Sequence, residues 1–464
     1  MSSDANIHFD KIIRDIAREE QEMLLYEDKV MDIPLWRIFR FAFLKRYLSN
    51  NYGFATNSLY TKKANKSKLL MSFLKSFISF FRIIFLRKKF KILIFAFPRL
   101  QKSNDVYFDK FTDPIIQLMK EKEKYTIFQR HLSGNHLEPR VNSDKVVKTD
   151  FIEVSSKLFG LLLLPITLLF NYFALKRLYI KVKDRFELSG KDFIRMAVGL
   201  GEFYVSYCIY YFLVKIMGIK SVFLVDREIY YPVIAACKRN KVKIYELQHG
   251  VTHSWTLLYS GKYDKNIDPD YFLTFGENWI GKQFGLPIEK ISNIGWAYSE
   301  RMKINLNEKL DEKTILVVSE PCYSIEIVLA LIEMINVDSE IRFEIRLHPQ
   351  EKYDDETINL ISQYNRIKVV DNSEESTLSL RKYTNIVGVN SSVLYEALSL
   401  KKRIACINFG GCVCEMNEIY DPNPFFILNK VEDLKDFYIS GSGNNIGETF
   451  YSSFDVEKFN KLLC

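Results

Sequence analysis

"SVFLVDREIYYPVIAACKRNKVKIYELQHG", Ser221 to Gly250, decides the fold of this chain. An apolar β-branched run, SVFLVD (221–226), precedes a helical stretch, and a second run, KIYELQ (243–248), follows it. Two strands joined by a helix need a crossover, so they pair in parallel, and the crossover is right-handed. Both runs stop on polar residues: Asp226, Arg227 and Glu228 after the first, Gln248, His249 and Gly250 after the second.

The same alternation extends to both sides. KILIFAF (91–97), KYTIFQR (124–130) and YFLTFG (271–276) complete a first set of strands. TILVVSE (314–320), FEIRLHP (343–349), IKVVD (367–371), NIVGVN (385–390) and RIACINF (403–409) form a second. The polar stretch at about 297–313 interrupts the pattern, and 464 residues exceed one ordinary core. The expected fold class is therefore α/β: two doubly wound, Rossmann-like domains facing a cleft, over 91–300 and 312–445. A helical, basic appendage is expected over 1–90, and a tail at 446–464 that packs back.

Composition narrows the function. With 48% hydrophobic and 26% charged residues the chain is a folding one. Seven scattered cysteines and the polar start MSSDANIHFD point to reduced thiols and a cytoplasmic location. The pair Cys412 and Cys414 lacks a second pair at ligand spacing, so no structural zinc is expected, and no cofactor.

The net charge of +8 is unevenly spread: sixteen Lys and Arg, and no acidic residue, lie between Asp32 and Asp105. Within SKLLMSFLKSFISFFRIIFLRKK (67–89), Lys68, Ser72, Lys75, Ser79 and Arg82 recur every three or four residues, leaving Leu, Phe and Ile on the remaining arc. That pattern suits an anionic inner-leaflet membrane surface and excludes nucleic acid, whose helices carry more charge and less Phe. The core of the first domain is the competing place for this helix. LFGLLLLPITLLFNYFAL (158–175) is about the minimum length of a span, but Pro165, Thr167 and Asn171 interrupt it, and it reads as a buried or surface-docked helix.

Ligands of doubly wound sheets bind where strands end and helix N-termini point. In the second domain those positions hold Arg346, His348 and Pro349, then Asn390, Ser391 and Ser392, with Glu396 one turn into the following helix. An imidazole can donate to a phosphate, serines at a helix start can cradle its oxygens, and a carboxylate further in can take ribose hydroxyls. A core histidine and a plain N-cap serine are the competing readings.

LQHG, RLHP and NSSVLYEAL together resemble the GT-B glycosyltransferases of bacterial surface polysaccharides. These are the capsule and lipopolysaccharide sialyl- and Kdo-transferases with His-Pro and Ser-Ser motifs, and the related CDP-glycerol glycerophosphotransferases. The resemblance runs over about 220–430 and implies a metal-independent enzyme on the inner face of the plasma membrane. It implies a nucleotide-sugar donor, cytidine-linked in preference, held by His348, Ser391 and Ser392, and a lipid-linked glycan acceptor near His249. The chain departs from the sialyl- and Kdo-transferase pattern in having Gln-His-Gly where an acidic pair before glycine is often found. A strand-end histidine can take a proton from an acceptor hydroxyl near neutral pH, and Gly250 leaves room for a sugar. His249, Asp226 and Glu228 therefore all stand as candidate bases, with Gln248, Gly250 and His253 on the acceptor side. Transfer of a polyol phosphate, a nucleotide-sugar 2-epimerase and a non-catalytic membrane scaffold are the alternatives.

Overall fold

The computed structural model describes residues 9–52, 66–86, 88–98, 100–103, 105–119, 124–132, 135–251, 257, 259–280, 284–299, 312–348, 351–370, 376–389, 391–409, 424–439 and 447–463. Two sheets organise them. The first contains β1 (Ile92–Ala96), β2 (Tyr125–Gln129), β3 (Val146–Lys148), β4 (Ser221–Leu224), β5 (Lys243–Leu247), β6 (Tyr271–Thr274) and β7 (Ile291–Asn293). Its spatial order is β7-β6-β5-β4-β1-β2-β3, with every neighbour parallel. The second contains β8 (Thr314–Val318), β9 (Arg342–Arg346), β10 (Ile367–Val370), β11 (Asn385–Gly388), β12 (Arg403–Ile407) and β13 (Phe426–Leu428), in the order β10-β9-β8-β11-β12-β13. Both are doubly wound, with a point where the winding reverses: between β1 and β4 in the first sheet, between β8 and β11 in the second.

The ten expected strands are all present. In β1, Ile92, Ile94 and Ala96 enter one core while Leu93 and Phe95 enter another, so both faces are covered and the strand reads as a continuous apolar run. The three strands not read from sequence, β3, β7 and β13, have three residues each and lie on or near sheet edges, too short to show a period.

Among the described residues, the helices before β8 are α1 (Phe9–Glu22), α2 (Leu35–Tyr52), α3 (Lys66–Phe85), α4 (Asp113–Leu118), α5 (Asp150–Leu162), α6 (Leu164–Val182), α7 (Gly190–Met217) and α8 (Tyr231–Arg239). Helix α7 begins on a capping box of Ser189 with Asp192 and ends on Gly218 at φ +72°, the left-handed residue that closes a helix. Its Phe203, Tyr210 and Leu213 share a core with Leu93 and Phe95 of β1. Ile13, Trp36 and Phe39 of α1 and α2 share a core with Leu175, Leu178 and Leu200 of α6 and α7.

The basic count of the first hundred residues overstates the charge on the surface. Arg37 is buried against Asp268, Arg40 against Glu20, and Arg46 pairs with Asp192. Arg40 also donates to the carbonyls of Leu257 and Ser260, so α2 supports the segment that follows His249.

The chain's end returns to the first domain. Trp279 Nε1 donates to the Phe450 carbonyl at 2.8 Å, Trp296 N to that of Ser452 at 2.9 Å, and the Tyr245 hydroxyl to that of Leu462. Gly276 is required there, since a Cβ would lie 2.2 Å from the Thr449 carbonyl oxygen.

Candidate active site in the interdomain crevice

His249 stands immediately beyond β5. Its ring is stacked with Phe97, from the end of β1, at 5.7 Å and meets Phe111 edge-on at 6.4 Å. Its Nδ1 is 2.6 Å from the Tyr259 hydroxyl. Burial, with Glu246 and Asp226 nearby, holds that phenol well above its usual pKa, so Tyr259 keeps its proton. A phenol that keeps its proton can donate to Nδ1 or accept from Nδ1–H, and only the second arrangement leaves the base-competent lone pair on Nε2.

Gln248, expected on the acceptor side, is fully buried. Its Oε1 accepts from Phe275 N at 2.9 Å and its Nε2 donates to the Gly250 carbonyl at 2.8 Å. Both ends of the amide are therefore spent on fixing the turn that presents His249.

Asp226 and Glu228 follow β4, at the reversal point of the first sheet. Asp226 has φ +69° and ψ +80°, a conformation costly for a residue with a Cβ. Its Oδ1 is sealed from solvent without a hydrogen-bond partner among the described residues, and the buried Glu228 carboxylate faces the Tyr231 hydroxyl. Burial, then the charges of Glu228 and Glu246, raises Asp226 to about 8. Burial raises Glu228 to about 7, opposed by Arg37 and Arg40. Two carboxyl groups thus titrate near neutrality, the range in which a group can both take and return a proton. Behind them Arg227 Nε donates to Glu246 Oε2 at 2.6 Å, and Arg37 bonds Asp268. Arg227 was legible as a strand-end residue, whereas Glu246, Arg37 and Asp268 had no such signal and could not be singled out from sequence.

In the second domain, the His348 amide N–H donates to Glu351 Oε2 at 3.0 Å. Glu351 Oε1 accepts from Ser319 at 2.7 Å and Ser324 at 2.6 Å, so one carboxylate joins the ends of β8 and β9. The Arg346 Nη1 donates to Ser379 at 2.7 Å. Ser391 is the N-cap of the helix Ser392–Leu398, its Oγ accepting from Val393 N. Ser392 opens that helix and is exposed. Glu396 is buried, its Oε1 2.7 Å from Lys110 Nζ and its Oε2 without a partner among the described residues. Lys110 adjoins Phe111, the ring edge-on to His249, so a chain of contacts runs from the imidazole across the crevice to Glu396. Lys110, Phe111, Tyr259 and Glu351 carry no signal in the sequence because each becomes a site residue only through a distant partner. Pro349, Asn390 and His253 lie outside the described residues. Among the described residues, no group of three His, Cys, Asp or Glu side chains converges as metal ligands.

No family model and no curated protein sequence matches the chain. Among solved structures it is similar to the UDP-GlcNAc 2-epimerase from Methanocaldococcus jannaschii, with 12% identity and a TM-score of 0.50 over 81% of this chain and 99% of that one. It is also similar to the UDP-GlcNAc 2-epimerase from Neisseria meningitidis (10% identity, TM-score 0.48, 80% of this chain and 98% of that one). A third is the wall teichoic acid polymerase TagF (10% identity, TM-score 0.39, 86% and 93%). Together with the two doubly wound sheets, the first of these likenesses establishes a GT-B type of α/β fold.

Proposed function

We propose that the chain is a GT-B glycosyltransferase that moves a sugar from a nucleotide-activated donor, cytidine-linked in preference, to a lipid-linked glycan of bacterial capsule or lipopolysaccharide. One observation carries this reading: a crevice imidazole whose Nδ1 is 2.6 Å from the Tyr259 hydroxyl, linked through Phe111 and Lys110 to a buried carboxylate on the other domain. In this reading the donor's phosphate sits by His348 and the start of the Ser392–Leu398 helix, and Glu396 takes the ribose hydroxyls. Lys110, then released, turns to the leaving phosphate. His249 Nε2 accepts the acceptor's hydroxyl proton, the oxygen forms a bond to the anomeric carbon, and the sugar–phosphate bond breaks with its electrons on the phosphate. Lys110 and the backbone N–H groups supply the positive charge, so the reading calls on no resident metal.

A second reading is 2-epimerisation of a nucleotide sugar, favoured by the Asp226 and Glu228 pair, poised for proton removal and return. Polyol-phosphate transfer would use the same crevice. A thermal-shift screen with CMP, CDP, UDP and GDP tests the donor site, because a ligand of the folded state raises the melting temperature. The nucleotide sugar is then incubated in D₂O without acceptor. Deuterium at C2 would establish the epimerase, and absence of any nucleotide shift would remove all three enzyme readings.

A further inference from the structure

Helices α3, α5 and α6 each bury one apolar face, yet turn their uncharged polar side chains Ser72, Ser76, Ser155, Ser156, Thr167 and Asn171 towards the protein and a second apolar face towards solvent. In α3, Ser72 Oγ donates to Asp150 at 2.9 Å and Ser76 Oγ to the Lys148 carbonyl at 2.6 Å, while Leu70, Met71, Ile78, Phe81 and Phe85 are exposed. In α6, Thr167 and Asn171 are buried and Asn171 Oδ1 accepts from the Tyr204 hydroxyl of α7, whereas Leu169, Phe170 and Phe173 are 77%, 78% and 76% exposed. In α5, Ser155 and Ser156 are buried and Leu158, Leu161 and Leu162 are exposed. A helix on a water-soluble surface has the opposite arrangement. Polar groups satisfied inward with apolar groups outward is how helices face lipid.

The helices are neighbours. Phe77 of α3 meets Phe151 of α5 at 5.2 Å, and α5 and α6 are separated by one residue and bent by 74°. Helices α5 and α7 approach at two glycines: a Cβ on Gly160 would lie 2.6 Å from Glu202, and one on Gly201 2.7 Å from the Gly160 carbonyl. Small residues at a close crossing are another feature of packing in membranes. The α5–α6 pair is apolar enough for one span, but the bend and the inward polar groups lay it along a surface.

We infer that α3, α5 and α6 form a shelf that inserts into the acyl region of one leaflet of an anionic bilayer, to a depth of roughly 5–10 Å. Charge selects this occupant. Residues 66–89 and 157–183 contain no Asp or Glu, and Lys75, Arg82, Lys88, Lys89, Lys157 and Lys176 are exposed on these helices or just beyond the end of α3. A symmetric second copy would bring these cations against their own images, whereas anionic headgroups neutralise them. The inference shares its membrane partner with the proposed function but rests on the helices alone, and its test is blind to nucleotide and acceptor.

The test uses the full chain with Phe170→Trp or Phe173→Trp and vesicles of phosphatidylglycerol and phosphatidylethanolamine. Brominated acyl chains should quench the added fluorescence by about half, and binding should persist in about 1 M salt, where charge attraction is screened to about 3 Å. Leu169→Ser, Phe170→Ser and Phe173→Ser together should weaken vesicle binding at least about tenfold; if that variant melts early, the quenching decides alone. Release by salt without quenching would overturn the inference. So would lipid-free dimers that the same three changes dissolve.

Discussion

Lys110 Nζ lies 2.7 Å from Glu396 Oε1, an ion pair joining the two domains at side chains only 16% and 4% exposed. Removing one partner leaves the other charge buried and unpaired. Lys110→Met should cost about 2–4 kcal/mol of thermal stability and Glu396→Gln less, with the double variant recovering about 0.5–3 kcal/mol of their sum. A double-mutant cycle measures it; strict additivity would mean that the pair is not formed.

His249→Ala should lower single-turnover transfer by roughly a hundredfold or more at saturating donor, while nucleotide affinity stays within about twofold. Tyr259→Phe should move the pH profile of turnover, because the imidazole loses its hydrogen-bond partner at Nδ1. Near-normal turnover in His249→Ala with collapse in Asp226→Asn or Glu228→Gln would place the base at the end of β4.

The carboxyl pair makes stability depend on pH in a definite direction. Asp226 and Glu228 are raised to about 8 and 7 in the folded protein. The unfolded chain releases these protons near pH 4, so between about pH 4 and 8 the folded state binds more protons and stability falls as pH rises. Asp226→Asn should flatten that fall and raise stability at about pH 8 by on the order of a few kcal/mol, with little change at about pH 4. Melting curves of both proteins at the two pH values check it; equal offsets at both would contradict it.

Arg40 joins Glu20 of α1 to the Leu257 and Ser260 carbonyls below the His249 segment. Arg40→Ala should destabilise by about 3–5 kcal/mol, and Arg40→Lys should restore little, since one ammonium cannot reproduce the guanidinium's fork. Thermal melts of the two variants decide this, and a native melting temperature in Arg40→Ala would show that α1 and α2 are dispensable.

The ten longer strands and their parallel pairing were legible because each is an apolar run ended by polar residues and followed by a helical pattern. The strand ends at Asp226, Gln248, His348 and Ser391 were legible for the same reason. What each does there was not. Gln248 spends its amide on Phe275 and Gly250, and Ser391 caps its own helix. Arg346 reaches Ser379, and none of these partners is near in sequence except Gly250 and Val393.

Periodicity in the chain determined two doubly wound domains and an unevenly basic first hundred residues, because period and charge are local properties of a sequence. Only the tertiary structure decided which charges are buried and which apolar faces remain uncovered. Arg37 and Arg40 vanish into ion pairs with Asp268 and Glu20, while Phe170 and Phe173 stay exposed. A helix of mixed polarity can turn either side outward, and the choice depends on which neighbours satisfy its polar groups. Ser72 and Asn171 found Asp150 and Tyr204 inside the protein, and that left the leucines and phenylalanines facing out.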